Sequence, residues 1–278
     1  MSESALKYLS GPVVLLGAGK MGGAMLEGWL KLGLSSDHAI VLDPHMPAEA
    51  AEALAARGVS VNPNLDTVSA PSVILLAVKP QVAPDALPRV APLVKAGTVV
   101  VSIMAGRTLS FMTDIFGADA ALVRSIPNTP AAIGRGVSVA VAGPRVSAAQ
   151  RDLASALLSA IGIVEWIEDE ALMDAATAVS GSGPAYAFLL AEAMAQAGIE
   201  AGLPAELSHR IARATVAGAG ALLDHSDLPA ATLRQNVTSP GGTTAAALAV
   251  LMHEENGFGP LLTAAIAAAT KRGKELAG

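Results

Sequence analysis

The sequence predicts an α/β protein in two parts, a parallel sheet wrapped by helices over residues 1–169 and an all-helical domain over residues 170–278. Three observations predict it. Up to residue 169 short Val/Ile/Leu runs alternate with longer amphipathic stretches, the βαβα rhythm of a sheet covered on both faces. After Glu168-Asp169-Glu170 the β-branched runs vanish and Ala-rich helical periodicity takes over. The first strand also runs straight into Gly17-Ala18-Gly19-Lys20-Met21-Gly22, a glycine loop that opens a helix.

Taken in order, strands are expected at 12–16, 39–42, 73–77, 98–102, 121–124, 137–142 and 163–166, each a short apolar run. Helices are expected between some of them, at 21–32, 47–57, 81–93 and 147–158. The first of these helices sets Met21, Ala24, Met25 and Gly28 on one face. In the second part the helices fall at 172–179, 184–201, 205–223, 230–236, 242–253 and 261–276. The helix at 184–201 is apolar on nearly all sides, so another helix or a second subunit must cover it.

Composition narrows the function. The 278 residues are 52% hydrophobic and 15% charged, with a mean hydropathy of +0.51, which excludes disorder and implies more buried surface than a lone monomer needs. Eighteen Lys and Arg against twenty-four Asp and Glu give a net charge of −6, with no basic run to neutralise successive phosphates, so no nucleic-acid partner is expected. The absence of Cys removes disulfides, thiolate nucleophiles and zinc–thiolate sites together. There is no Gly-x-Ser-x-Gly elbow, His-Glu-x-x-His pair or phosphate-binding Gly-Lys-Ser/Thr loop, and the histidines at 38, 45, 209, 225 and 253 lack ligand spacing. Hydrolysis, phosphoryl transfer and a metal site therefore lose their support. The apolar stretches 185–203, interrupted by Glu192 and Glu200, and 243–252 read as buried helix rather than as membrane spans. Met1-Ser2-Glu3-Ser4 carries an acid where a secretory leader has positive charge, so the expectation is a cytoplasmic protein with no membrane partner.

The glycine loop points to a dinucleotide. Gly17 permits the tight turn, Gly19 lets a pyrophosphate approach the backbone, Gly22 lets helix and strand pack, and the helix N-terminus offers free N–H groups to the anion. Packing alone is the other reading of such a turn. Asp43, about 24 residues beyond Gly19 at the end of the next strand, can accept both adenosine-ribose hydroxyls, which favours NAD over NADP, or it can cap the turn before Pro44. Lys20 is a phosphate ligand or a solvated cation. The third strand ends in Ala77-Val78-Lys79-Pro80, beside the expected cofactor, with Lys79 a ligand or the charged start of a loop. Arg124 to Pro130 holds Asn128 and Thr129 in a turn stiffened by two prolines, either suited to the nicotinamide and substrate end or a plain turn.

Two loops in the second part share one grammar. Thr238-Ser239-Pro240-Gly241-Gly242-Thr243-Thr244 reads as a helix start with Ser239 as N-cap and Pro240 at the first helical position; it is either an anion site, where the N–H groups of Gly241, Gly242 and Thr243 converge and the bare glycines let a carboxylate come close, or a bare helix cap. Ser180-Gly181-Ser182-Gly183-Pro184-Ala185-Tyr186 repeats the pattern, either for close backbone approach or for packing.

With these five blocks in this order, the chain resembles the pyrroline-5-carboxylate reductase family over essentially its whole length; the last two blocks are the specific ones. The resemblance implies an N-terminal Rossmann-type parallel sheet with a C-terminal all-helical dimerisation domain, a homodimer formed through that domain, and often a ring of dimers. It implies reduction of the C=N bond of 1-pyrroline-5-carboxylate to L-proline by hydride from NADPH or NADH. The substrate carboxylate would be held by Ser239 and the backbone at Gly241, Gly242 and Thr243, and Thr244 would hydrogen-bond the ring nitrogen. Asn128 would belong to the substrate end, and Asn64 and the Val78-Lys79-Pro80 loop match family cofactor contacts. Lys20 stands where many members have Asn, and Asp43-Pro44 lacks the small polar or basic run that suits NADP, so the preferred cofactor stays open. A β-hydroxyacid dehydrogenase needs a lysine on the helix after its Ser-Gly segment, and none follows here until Lys271. A non-catalytic dinucleotide sensor would not need the intact Ser-Pro-Gly-Gly-Thr-Thr loop.

Overall fold

The computed structural model describes Leu6 and residues 9–277; the N-terminal residues read against a leader lie outside the described residues. Two compact units emerge, Met1–Gly181 with Thr270–Gly278, and Ser182–Ala269. The compositional break near residue 170 thus precedes the structural division, because Met173 packs with Ile126, Val139 and Val141 of the sheet.

In the first unit, β1 (Val13–Leu16) leads into α1 (Lys20–Lys31), β2 (Ala39–Leu42), α2 (Ala48–Ala55), β3 (Ser60–Val61), β4 (Val73–Leu76), α3 (Ala83–Val90) and β5 (Val99–Ser102). Then follow α4 (Leu109–Phe116), β6 (Ala121–Ile126), β7 (Gly136–Ala142), α5 (Ala148–Leu158), β8 (Gly162–Ile167) and α6 (Met173–Ala176). One eight-stranded sheet results, in the order β3-β2-β1-β4-β5-β6-β7-β8. All residues of β1, β2, β4, β5 and β6 are buried, as continuous apolar runs require when helices cover both faces. Side chains alternate between two cores: Val13 and Leu15 join Trp29, Val41 and Leu157 on one face, and Val14 and Leu16 join Leu87, Val100 and Met112 on the other. The Trp29 indole is fully buried and donates to Leu157 O at 2.8 Å, so its polar edge is satisfied.

The departures from expectation have physical reasons. The sheet is parallel through β6, but β7 pairs antiparallel to β6 and β8 parallel to β7. Only residues 127–135 join β6 to β7, too few for the crossover that a parallel return demands. The composition reading also passed over β3, which has only two residues, and α4, whose signal was Thr108, an N-cap accepting from the Phe111 N–H at 3.2 Å. The helix expected at 81–93 stops at Val90 and tightens into a 3₁₀ turn, Ala91–Leu93, around Pro92.

The second unit is helical: α7 (Gly183–Glu200), α8 (Ala205–His225), α9 (Ala230–Asn236), α10 (Thr243–Leu251) and α11 (Phe258–Ala277), whose last residues from Thr270 belong with the first unit. At Gly198 a Cβ would stand 2.2 Å from Ser208 Oγ, and that hydroxyl donates to Ala195 O at 2.6 Å, so α7 and α8 pack closely. Among the described residues, no helix is long and apolar enough to cross a membrane.

Candidate active site

The glycine loop is built as its residues dictate. Gly17 takes φ +91°, a left-handed conformation, and its N–H donates to Leu42 O at 2.9 Å. A Cβ at Gly22 would stand 2.2 Å from Gly17 O, so only glycine lets α1 lie against the turn. A Cβ at Gly19 would meet nothing within 4 Å, which leaves the loop crest bare. The first helical bond runs from Gly23 N–H to Gly19 O at 2.8 Å, so the N–H groups of Lys20, Met21 and Gly22 have no intrahelical partner. A bare crest over three such donors has the chemistry to take an anion. The Met21 side chain packs against the core, so its backbone N–H is the group it offers to the crest.

Of the two roles open to Asp43, the structure shows the turn cap and adds a tie to the glycine loop. Its Oδ2 accepts from the Ala18 N–H at 2.9 Å, tying the glycine loop to the end of β2, and its Oδ1 accepts from the His45 N–H at 3.0 Å, capping the turn. Asn62, at φ +48°, clamps the same residue from the other side, accepting from the Asp43 N–H at 2.8 Å and donating to Asp43 O at 2.9 Å. These groups border a cleft of about 860 Å³, lined among others by Gly17, Gly19, Asp43, Val78 and Lys79. It lies at the carboxyl ends of β1, β2 and β4, where ligands bind in open α/β sheets.

Two of the expected cofactor residues stand outside the lining of this cleft. Asn64 does not line the cleft, because its Oδ1 accepts from the Asp66 N–H at 3.1 Å and caps a 3₁₀ turn. Pro80 is likewise outside the lining, and its carbonyl accepts from Arg107 Nε and Nη2 at 3.2 and 2.7 Å, which braces the loop behind Lys79. Sequence reasoning missed His45, Asn62, Asp85 and Arg89, all of which line the cleft. The signal for Asn62 was the Asn-Pro-Asn run, since Asn tolerates the left-handed region. The signal for Asp85 and Arg89 was their spacing of one helical turn on α3.

Asn128 is buried, 8% exposed, and its amide is engaged: Oδ1 accepts from the Val137 N–H at 2.8 Å and Nδ2 donates to Ser180 O at 3.0 Å. Ser180 lies in a π-helical turn, Thr177–Gly181, that follows α6. Such turns place backbone carbonyls out of α-helical register, and Asn128 takes up one of them.

In the second unit the expected helix start is shifted. Ser239 is not the N-cap and Pro240 is not helical: the Gly242 N–H donates to Ser239 O at 3.1 Å, closing a turn with Pro240 second and Gly241 third at φ +71°. Pro favours that second turn position as much as a first helical one, and here the turn wins because Gly241 supplies the positive φ. The N-cap of α10 is Gly242, which brings no side chain to the Thr243 and Thr244 N–H groups. A Cβ at Gly242 would stand 2.4 Å from Ser239 Oγ, so the hydroxyl lies over the helix start. Ser239, Gly241, Gly242, Thr243 and Thr244 are thus gathered at one helix end, with hydroxyls and unpaired N–H groups suited to an anion. Among the described residues no group of His, Cys, Asp or Glu could hold a metal ion.

Comparison with known proteins bears on both units. Residues 170–276 match the family model described as pyrroline-5-carboxylate reductase dimerisation, and residues 12–106 match the one described as NADP oxidoreductase coenzyme F420-dependent. The chain is 39% identical over 95% of its length to the pyrroline-5-carboxylate reductase of Pseudomonas aeruginosa, covering 96% of that protein. A structure of a pyrroline-5-carboxylate reductase from Coxiella burnetii superimposes with a TM-score of 0.89 at 29% identity, over 97% of this chain and 100% of that one. The Plasmodium falciparum pyrroline carboxylate reductase with NADP bound gives a TM-score of 0.78 at 27% identity, over 97% and 99% of the two chains.

Proposed function

This chain belongs to the pyrroline-5-carboxylate reductase family, and from that premise we propose that its two units divide the reduction between them. It is an NAD(P)H-dependent oxidoreductase of proline biosynthesis that reduces a cyclic imine, 1-pyrroline-5-carboxylate, to L-proline. The observation that carries the division is the pair of bare helix starts, one behind Gly19 and one behind Gly242.

The reduced nicotinamide, NADPH or NADH, supplies the hydride to the imine carbon when bound. In our reading Gly17, Gly19 and the N–H groups of Lys20, Met21 and Gly22 hold its pyrophosphate, Asp43 its adenosine ribose, and Val78 and Lys79 the neighbouring stretch. Ser239 and the backbone at Gly241, Gly242 and Thr243 hold the substrate carboxylate, and the Thr244 hydroxyl bonds the ring nitrogen. An imine that arrives protonated carries the positive charge to which hydride is drawn, so Thr244 orients the nitrogen and no strong acid is needed. Asn128 acts as a positioning residue, because its amide is committed to Val137 and Ser180. Segment 170–278 then binds substrate and pairs subunits, and segment 1–169 binds dinucleotide.

We also place the enzyme in the cytoplasm, as a homodimer through the helical unit with dimers arranged in a ring. Supporting the dimer are the dimerisation match and the exposed Phe188 and Leu189 on α7, which call for a cover. The test of function is the fall in nicotinamide absorbance when purified protein receives 1-pyrroline-5-carboxylate with NADH or with NADPH. Substrate-dependent oxidation with proline as product is expected; cofactor binding without oxidation would sink the assignment.

A further inference from the structure

The structure assigns the choice between NADH and NADPH to Asp43, in favour of NADH, an assignment that rests on reading the first unit as the dinucleotide site. A carboxylate at the end of β2 meets the adenosine ribose, whose 2′ position is all that separates the two cofactors. Each Asp43 oxygen uses one lone pair, on the Ala18 or the His45 N–H, and keeps another for a ribose hydroxyl. The same oxygens have nothing to donate to a 2′-phosphate, which would bring like charge against them in a partly buried place.

Neither the side chain nor the main chain of Asp43 is free to yield. Swinging the carboxylate aside would orphan the Ala18 N–H that shapes the glycine loop, and Asn62 holds the Asp43 backbone on both sides. Among the described residues no Lys or Arg lines that wall, which is made of Leu42, Asp43, Pro44, His45, Asn62, Pro63 and Leu65. Arg57, which follows the C-terminal end of α2, is outside the lining and is bound through both guanidinium nitrogens to Glu27, at 2.5 and 3.1 Å. The cations that do line the cleft, Lys79 and Arg89, come from beyond β4 and from α3, where Asp85 lines it too.

The test is a fluorescence titration of the whole chain with NADH and with NADPH, without substrate, at pH 8, above the usual titration range of imidazole. NADH is expected to bind at least about tenfold more tightly. Raising the salt should narrow that ratio, since the penalty on NADPH is a charge repulsion. Asp43→Ser should bring the ratio to within about threefold of unity and remove its salt dependence. NADPH binding as tightly as NADH to the unmodified chain, or an unchanged ratio in a folded Asp43→Ser variant, would overturn the assignment and leave the reductase reading standing. Binding of neither nucleotide would remove that reading and the assignment together. Should Asp43→Ser fail to fold, the ratio and salt response of the unmodified chain decide the matter.

Discussion

Gly19 and Gly22 lie three residues apart and are glycine for opposite reasons. At Gly19 a side chain would meet open space, the place we propose for the pyrophosphate, and at Gly22 it would strike the Gly17 carbonyl. Gly19→Ala should therefore leave thermal stability nearly unchanged while weakening nicotinamide binding about tenfold or more, whereas Gly22→Ala should cost about 1–3 kcal/mol by overpacking. A melting curve and a cofactor titration separate the two. Thr244→Ala should lower kcat more than it raises the cofactor Kd, because a hydroxyl on the ring nitrogen acts on substrate alone; full activity in that variant would remove its role. Asn128→Asp keeps the acceptor for Val137 but loses the donor to Ser180, so a loss of about 1–3 kcal/mol in denaturant unfolding is expected. Residues whose role is conformational, such as Gly17, were legible from the sequence. Those whose role depends on a distant partner were not: nothing near Asn128 announces Ser180, and the Ser-Pro pair at 239–240 fits a turn and a helix start equally well.

Among the elements, β1, β2, β4 and β5 could be read almost to their boundaries, because burial on both faces writes itself as unbroken apolar runs. Strand direction is written elsewhere, in the connections: the brevity of residues 127–135 forces β7 to turn back, and composition does not register it. One ion pair fastens this region. Arg124 on β6, with a side chain only 4% exposed, donates to Glu170 Oε1 at 2.7 Å, and the same oxygen accepts from the Leu109 N–H at 2.9 Å, at the start of α4. Glu170→Ala would strand a buried guanidinium and a helix-start donor, so a loss of about 3–5 kcal/mol is expected in equilibrium unfolding. An unfolding midpoint close to that of the unmodified chain would show that water rescues both groups. By contrast, Ser147→Ala, which removes one half of the capping box with Gln150 on α5, should cost only about 1 kcal/mol.

Across the whole molecule, the apolar excess counted in the sequence reappears as uncovered surface on the helical unit. Phe188 is 67% exposed and Leu189 62%, and Ile211, Leu222, Leu223 and Val250 are exposed as well. A charge set there, as in Phe188→Asp, should shift the mass measured by light scattering toward the monomer, since an unpaired charge is costly to bury. The order in which the chain visits its two units has a consequence of another kind. It leaves the first at Gly181 and re-enters it at Thr270, where a Cβ on Gly273 would stand 3.0 Å from Asp174 Oδ1 and one on Gly106 would stand 3.2 Å from Leu276 O. The first unit therefore receives packing from residues that leave the ribosome after the whole helical unit, which must be translated before its predecessor is complete. A nascent chain stalled after residue 269 is expected to hold a sheet that proteases still open, and release of the last turns of α11 to close it.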